Sequence, residues 1–541
     1  MTMMGKASYR QRKWWYITAC ILFIFCISAI ILKLYLGHST IKTPQIIIFG
    51  IDGATWDVIN PLIEIGRLPN FKYIIQNGAY GPLETIIPTL SPIIWTSIAT
   101  GKSPLKHGIK TFLWKPKNSY AEYPVGNFQR RAKTIWKIVN DELDWKVALI
   151  NWQAAWPPEE EYVEGAVISY GATINIDDPV FYYPKKTYIL AQKIKKNIQD
   201  KEELLFNIGD NILRDHWAQL FLFYIVGIDY TLHKYYSEID FKNKYIPDEI
   251  IYEYEKADRM LGKFIATGAT IFVVSDHGGE SYKNISPEQF NKMVNRVKKV
   301  YEKIIDINSY RVSLKDGIVI LYSLEMNLIL EDLNLCNSSY ASECKVYYST
   351  PYLVSSVVRD LFLNTSKFRD VNIESVAKVL SDIRTLKDKK PFFRPIILPN
   401  EKDGPDIRVF LNPDIKLNEE VVVKRKVFNV SRYLREWTFS GHHLFAPKGI
   451  MAIYGQNIKK DFVLKDAHIY DVVPTILALS GLPVAKDMDG KILKEIFVEV
   501  PEVRYIDTYE EGAEYKKQFK FPEQKSYERI MEELRSLGYI Q

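Results

Sequence analysis

QIIIFGID, residues 45–52, is an unbroken apolar run that ends in an aspartate. A run without polar alternation suits a strand covered on both faces, as in a parallel sheet between helix layers. Two distant stretches repeat the arrangement: LFLFYIVGID at 220–229, with His233 four residues on, and TIFVVSDH at 270–277. Asp52, Asp229, His233, Asp276 and His277 thus follow strand-like segments. The carboxyl ends of adjacent strands in an open α/β sheet face one ligand crevice. A fourth stretch, WTFSGHHLFAPKGIMAIYG at 437–455, sets His442 and His443 just before another strand-like run. Four of the chain's eight histidines lie in these segments, so the pattern implies a metal-dependent hydrolase holding two divalent ions.

Around these anchors, apolar runs alternate with amphipathic stretches, the pattern of a mostly parallel sheet between helices. It predicts strands over 45–51, 146–151, 166–170, 220–228, 270–275 and 450–455, and helices near 57–65, 92–100, 132–143, 183–196, 248–266 and 471–480. From about 281 the rhythm breaks into a charged helical stretch, EQFNKMVNRVKKVYEKIID at 288–306, then short mixed runs and a proline-rich turn. We read 281–440 as an inserted cap region between two parts of one catalytic core, 45–280 and 441–500. Residues 501–541 form a C-terminal tail ending in the helix-like ERIMEELRSLGYI.

Trp14–Leu32 is an uncharged run of 19 residues. As a helix it covers about 28 Å of hydrocarbon. Lysines flank it, tryptophans and tyrosines sit at its ends, and four cationic residues precede it. The bias predicts a cytoplasmic N-terminus at 1–13, a single transmembrane anchor at 14–36, a linker at 37–44 and an extracytoplasmic catalytic region. A cleaved signal peptide is the competing reading. The net charge of +6 is small for 541 residues and no basic stripe appears, so nucleic-acid binding is not expected. Cys336 and Cys344, eight residues apart, either close a small disulfide loop or remain free buried thiols. Sequons at Asn284, Asn337, Asn364 and Asn429 are compatible with surface glycosylation.

The stretch IIPTLSPIIWTSIATG at 86–101 puts Ser91 beside Pro92 at the start of a predicted helix. Free N–H groups and the helix dipole favour an anion there. A hydroxyl in that place can attack a bound phosphate; an N-capping serine is the alternative.

An Asp after the first strand, P-T-x-S running into a helix that ends T-G, D-x-x-x-H, D-H-G and G-x-H occur in that order. Over most of residues 45–500 this resembles the type I phosphodiesterase and nucleotide pyrophosphatase family of the alkaline phosphatase superfamily. GKSPLKHGI at 101–109, GPDIRVFL at 404–411 and HIYDVVPTILALSGLPVAKDMDGKIL at 468–493 add to the resemblance. It implies an alkaline-phosphatase-like α/β fold and a two-metal phosphohydrolase cleaving phosphate esters, nucleotide or other diesters, through a phosphoseryl intermediate. By the same resemblance Ser91 is the nucleophile, sharing one metal with Asp52, Asp276 and His277, while Asp229, His233 and His443 hold the other. His443 keeps the G-x-H spacing from Gly441 that His442 does not.

Mixed carboxylate and imidazole ligands suit Zn2+ better than Ca2+. One position departs from the family pattern: where nucleotide pyrophosphatases carry an asparagine three residues after the nucleophile, this chain has Ile94. Lys102, Lys110 and Tyr230 are candidate substitutes, and His107 is expected to be structural. A phosphomonoesterase or phosphotransferase of the same superfamily is the alternative activity. A catalytically inactive cell-surface binding protein is the alternative of another class.

Overall fold

The computed structural model describes residues 45–510 apart from 88, 111, 115–122, 159–163, 174, 196–197, 216–217, 282–287, 289–310, 316–317, 338–342, 350–357, 399–405, 413, 440 and 444–446. The expected membrane span, nearly all of the charged stretch at 288–306 and the helix-like C-terminal segment lie outside the described residues. Among the described residues no helix is long and apolar enough to cross a membrane.

The core is an α/β structure on a mostly parallel sheet. Its strands are β1 (Ile46–Ile51), β2 (Ala79–Glu84), β3 (Val147–Ile150), β4 (Gly165–Ile168), β5 (Tyr182–Tyr183), β6 (Leu220–Ile225), β7 (Thr270–Val274), β8 (Gly449–Tyr454), β9 (Phe462–Val463) and β10 (Ala467–His468). They lie in the order β9-β2-β8-β7-β1-β6-β3-β4-β5, with β10 also pairing with β2. Strands β7, β1, β6, β3 and β4 form a parallel block. Every residue of β1 is buried because successive side chains enter different cores. Ile47, Phe49 and Ile51 face one layer and Ile46 and Ile48 the other. Each such side chain contributes about 1.5–3 kcal/mol on burial, which is why the strand tolerates no polar alternation.

The first layer comprises α1 (Trp56–Glu64), α2 (Pro69–Asn77), α5 (Lys201–Arg214) and α7 (Asp248–Ile265), through residues such as Leu62, Phe71, Leu205 and Phe264. On the second face lie α3 (Ser91–Thr100), α4 (Ile135–Leu143) and α8 (Val472–Leu479), through Ile94, Trp136 and Ile476. Thr55 caps α1 by accepting from Asp57 N. Gly101, at φ 67°, closes α3 with its N–H on Ser97 O, a left-handed cap that glycine adopts without strain.

Register brings the chemistry to one edge. Ile51 pairs with Ile225 and Gly50 with Val274, so β1, β6 and β7 end nearly level. Strand β8 runs antiparallel to β7, with Met451 opposite Val274, so its amino end lies beside the carboxyl end of β7. His443 therefore arrives at the same edge from the opposite chain direction. The chain leaves toward the insertion through Glu280–Ser281 and returns through Gly441–His442, and these two passages pair antiparallel.

Between them lies an antiparallel unit with its own core of residues such as Leu324, Val346, Leu361, Phe392, Val409 and Tyr433. Strands 346–349, 358–363, 407–411 and 393–397 make its four-stranded sheet. Cys336 and Cys344 are bridged, with Cα atoms 4.4 Å apart. Several predicted strands run past the observed ends by a residue or two, and β6 by the most: it stops at Ile225, because Gly227 begins helix α6 (Gly227–Tyr235).

Candidate active site and metal centre

Asp52 is the first residue beyond β1 and is fully buried. Its Oδ2 accepts from Tyr224 Oη and from Trp95 Nε1 at 3.3 Å, which turns Oδ1 toward His277 Nε2, 3.3 Å away. Asp276, two residues past β7, accepts from Gly53 N at 3.3 Å through Oδ1, and its Oδ2 lies 3.4 Å from His277 Nε2. Gly53 is at φ 72°, and a Cβ there would come within 2.9 Å of the Asp229 backbone, so the turn after β1 requires glycine. His277 Nδ1 is 3.0 Å from Gly278 O. A carbonyl only accepts, so Nδ1–H donates to it and Nε2 is the ring atom that faces the carboxylates.

Asp229 and His233 fall on one face of α6, four residues apart, with His233 Nε2 3.4 Å from Asp229 Oδ2. The His443 ring stacks on His277 at 3.9 Å between centroids and meets His233 edge-on at 4.9 Å. One ligand atom from each of Asp229, His233 and His443 lies within 4.8 Å of the others, and the same holds for Asp52, Asp229 and His277. Asp229 belongs to both sets. His442, by contrast, lies on the paired passage opposite Glu280.

Electrostatics favours a cation between these groups. Burial, then Asp229, push the Asp52 carboxyl up, and burial, then Asp52 and Asp229, push Asp276 well above the usual range. For Asp229, burial pushes upward but His233, His443 and His277 outweigh it and hold the carboxyl low. Asp52 Oδ1, Asp276 Oδ2 and His277 Nε2 are buried with no hydrogen-bond partner among the described residues. Converging acceptor atoms without a donor are costly unless positive charge lies between them. Oxygen and imidazole donors fit zinc-like divalent ions.

Ser91 is the first residue of α3; the N-cap is Leu90, so the serine does not serve as the cap. It is 3% exposed. Two neighbours tie it to the ligands: Thr89 Oγ1 donates to His443 O at 2.7 Å, and Trp95, one turn on along the same face, donates to Asp52. Ile94 is buried in the second core.

Lys102 does not replace the missing asparagine, since its buried ammonium is held by Asp487 at 2.7 Å and Glu510 at 2.9 Å. Lys110 is exposed. Tyr230 adjoins Asp229 on α6 and packs against the second core. Sequence reasoning missed Tyr224 and Trp95, the two donors that orient Asp52. Both sit inside apolar runs, and their only signal is a polar tip on an aromatic where an aliphatic would pack as well.

His107 is fully buried, with Nε2 3.0 Å from Ser97 Oγ and Nδ1 accepting from Ile109 N at 3.2 Å. Burial, then the Arg130 guanidinium, push it down to about 3 from 6.5. The unfolded chain protonates this ring below about pH 6.5 and the folded chain only near pH 3, so the stability is present above 6.5 and is lost as pH falls toward 3. Between pH 7 and 5 the loss is about 2 kcal/mol. Urea unfolding of His107→Gln should show an acid-dependent loss smaller by about that amount; an unchanged pH slope would exclude this ring as its source.

A model of the type I phosphodiesterase/nucleotide pyrophosphatase family matches residues 46–380. Among solved structures, human ectonucleotide pyrophosphatase/phosphodiesterase 5 is similar at 13% identity and a TM-score of 0.45, covering 84% of this chain and 100% of that one. No curated protein matches the chain. With most of the described core inside the matched span, the chain belongs to the type I phosphodiesterase/nucleotide pyrophosphatase family and is a hydrolase acting on phosphate esters.

Proposed function

We propose that the chain is a membrane-anchored phosphodiesterase or nucleotide pyrophosphatase with an extracytoplasmic catalytic region, working through a phosphoseryl intermediate. The observation that carries this reading is the convergence of Asp52, Asp229, Asp276, His233, His277 and His443 on one buried edge beside the start of α3. Asp52, Asp276 and His277 would hold one ion and Asp229, His233 and His443 the other, most simply Zn2+. When bound, two such ions supply Lewis acidity to the reacting oxygens and charge for the phosphoryl group.

In this mechanism Ser91 Oγ attacks phosphorus from the first turn of α3, forming the Ser–O–P bond while the bond from phosphorus to the leaving oxygen breaks. The leaving oxygen takes up the proton. Water then attacks the phosphoseryl phosphorus, the Ser–O–P bond breaks, and the serine regains its proton. The N–H of Ser91, at the first position of α3, would be available to a phosphoryl oxygen bound there. Pro92 carries no N–H, and the amides of Ile93 and Ile94 bond to Leu90 O.

The test uses the full chain expressed in cells and charged chromogenic esters that do not cross the membrane. Intact cells should hydrolyse bis(p-nitrophenyl) phosphate faster than p-nitrophenyl phosphate, and external trypsin should remove the activity. Faster monoester cleavage would reassign the activity, and turnover seen only after lysis would reverse the topology.

A further inference from the structure

Helix α6, which carries Asp229 and His233, begins against a buried ion cluster. Glu202, in the first turn of α5, accepts through Oε1 from Val226 N and from Gly227 N at 3.0 Å. These amides open α6 and lack carbonyls of the helix to bond. The other Glu202 oxygen lies 3.0 Å from Lys256 Nζ on α7. Lys256 also reaches Asp200 at 3.0 Å and Glu253 at 2.7 Å. Glu202 and Lys256 are both buried. A Cβ on Gly227 would collide with the Glu253 carboxylate, so glycine lets the cluster close onto the start of the helix.

One carboxylate thus joins the amino ends of α5 and α6, both partially positive, and Lys256 offsets the surplus acid around it. Burial alone would push Lys256 down, but Glu202, Glu253 and Asp200 outweigh it and keep the ammonium charged. Asp229 is the third residue of α6 and His233 the seventh. A short rigid helix carries any displacement of its first turn to both ligand atoms.

We infer that Glu202 and Lys256 are positioning residues for the metal ligands Asp229 and His233, fixing the start of α6 from outside the site. This rests on the two-metal reading. The experiment uses the full chain in detergent, with Zn2+ affinity measured against a chromophoric chelator and hydrogen exchange of residues 226–235 measured on metal-free protein. Glu202→Gln and Lys256→Met should weaken Zn2+ binding by roughly 10–100-fold, the scale on which partners of metal ligands act. Exchange at the start of α6 should speed by roughly tenfold or more as the helix end loosens. Lys256→Arg should restore both.

Lys102→Met, which removes another buried lysine with two carboxylate partners, is the control for lost ion pairing and should leave Zn2+ affinity near wild type. Zn2+ binding in the two cluster variants no weaker than in this control would overturn the positioning role. If Lys256→Met does not fold, Glu202→Gln decides, since it keeps the shape and removes only the charge that holds the α6 amides and Lys256. A wild type that takes up no Zn2+ would sink the two-metal reading and this inference with it. Zn2+-binding wild type with unaffected variants would sink this inference alone.

Discussion

Ser91→Ala lowers turnover of a chromogenic phosphodiester by roughly a thousandfold or more, the scale on which loss of a nucleophile is felt, while the protein stays folded. The expectation of an intact fold comes from the position of the serine. It is the first residue of α3 and not its cap, so its hydroxyl satisfies no helix amide. Replacing it costs about 1 kcal/mol or less.

Thr89→Ala is the informative neighbour. Its hydroxyl holds His443 O at 2.7 Å, so the variant should lose about 1 kcal/mol of stability and some turnover through a displaced ligand. It should keep the ability to trap a covalent phosphate after acid quench, which Ser91→Ala lacks. Rate, thermal midpoint and acid-quench labelling of the two variants separate chemistry from scaffold. If Thr89→Ala abolishes turnover while Ser91→Ala does not, the nucleophile is misassigned.

The position of Ser91 illustrates what a sequence conveys and what it hides. Parallel strands buried on both faces read as apolar runs, so β1, β6 and β7 were visible from Ile46, Leu220 and Thr270 onward, and with them the level ends that gather Asp52, Asp229 and Asp276. Strand β8 was visible as a run but not in its direction. Only the observed antiparallel pairing explains how a histidine before a strand joins carboxylates that follow strands.

Strand β2 was invisible because Gly81 and Pro82 interrupt its pattern. The donors that orient Asp52 were hidden for the opposite reason. Trp95 and Tyr224 look like ordinary core aromatics, and the network linking Gln153 to Tyr224 and then to Asp52 depends on contacts spanning 71 and 172 residues. The insertion, built from short antiparallel strands of four to six residues, carries no period long enough to read.

Asp229→Asn should have the second large effect, and on both metals together. Among the described residues, Asp229 is the one whose carboxylate lies within 4.8 Å of ligand atoms in both sets, whereas His233 belongs to one. Reconstituted with Zn2+ and measured by elemental analysis, wild type should hold two ions per chain and His233→Ala one. Asp229→Asn should hold neither tightly, with affinity reduced beyond the roughly 10–100-fold typical of an outer partner. Asparagine keeps the shape of the side chain and removes a charge that helps raise Asp52 and Asp276, so the metal-free variant should remain folded. The difference then appears on adding metal. A ligand at a hundred times its Kd stabilises the folded state by about 2.7 kcal/mol, so Zn2+ should raise the thermal midpoint of wild type and fail to raise that of Asp229→Asn. Two tightly held ions in Asp229→Asn would remove Asp229 from the centre of the site, while full activity in wild type after exhaustive chelation would leave the three buried acceptor atoms of Asp52, Asp276 and His277 without the charge their convergence requires.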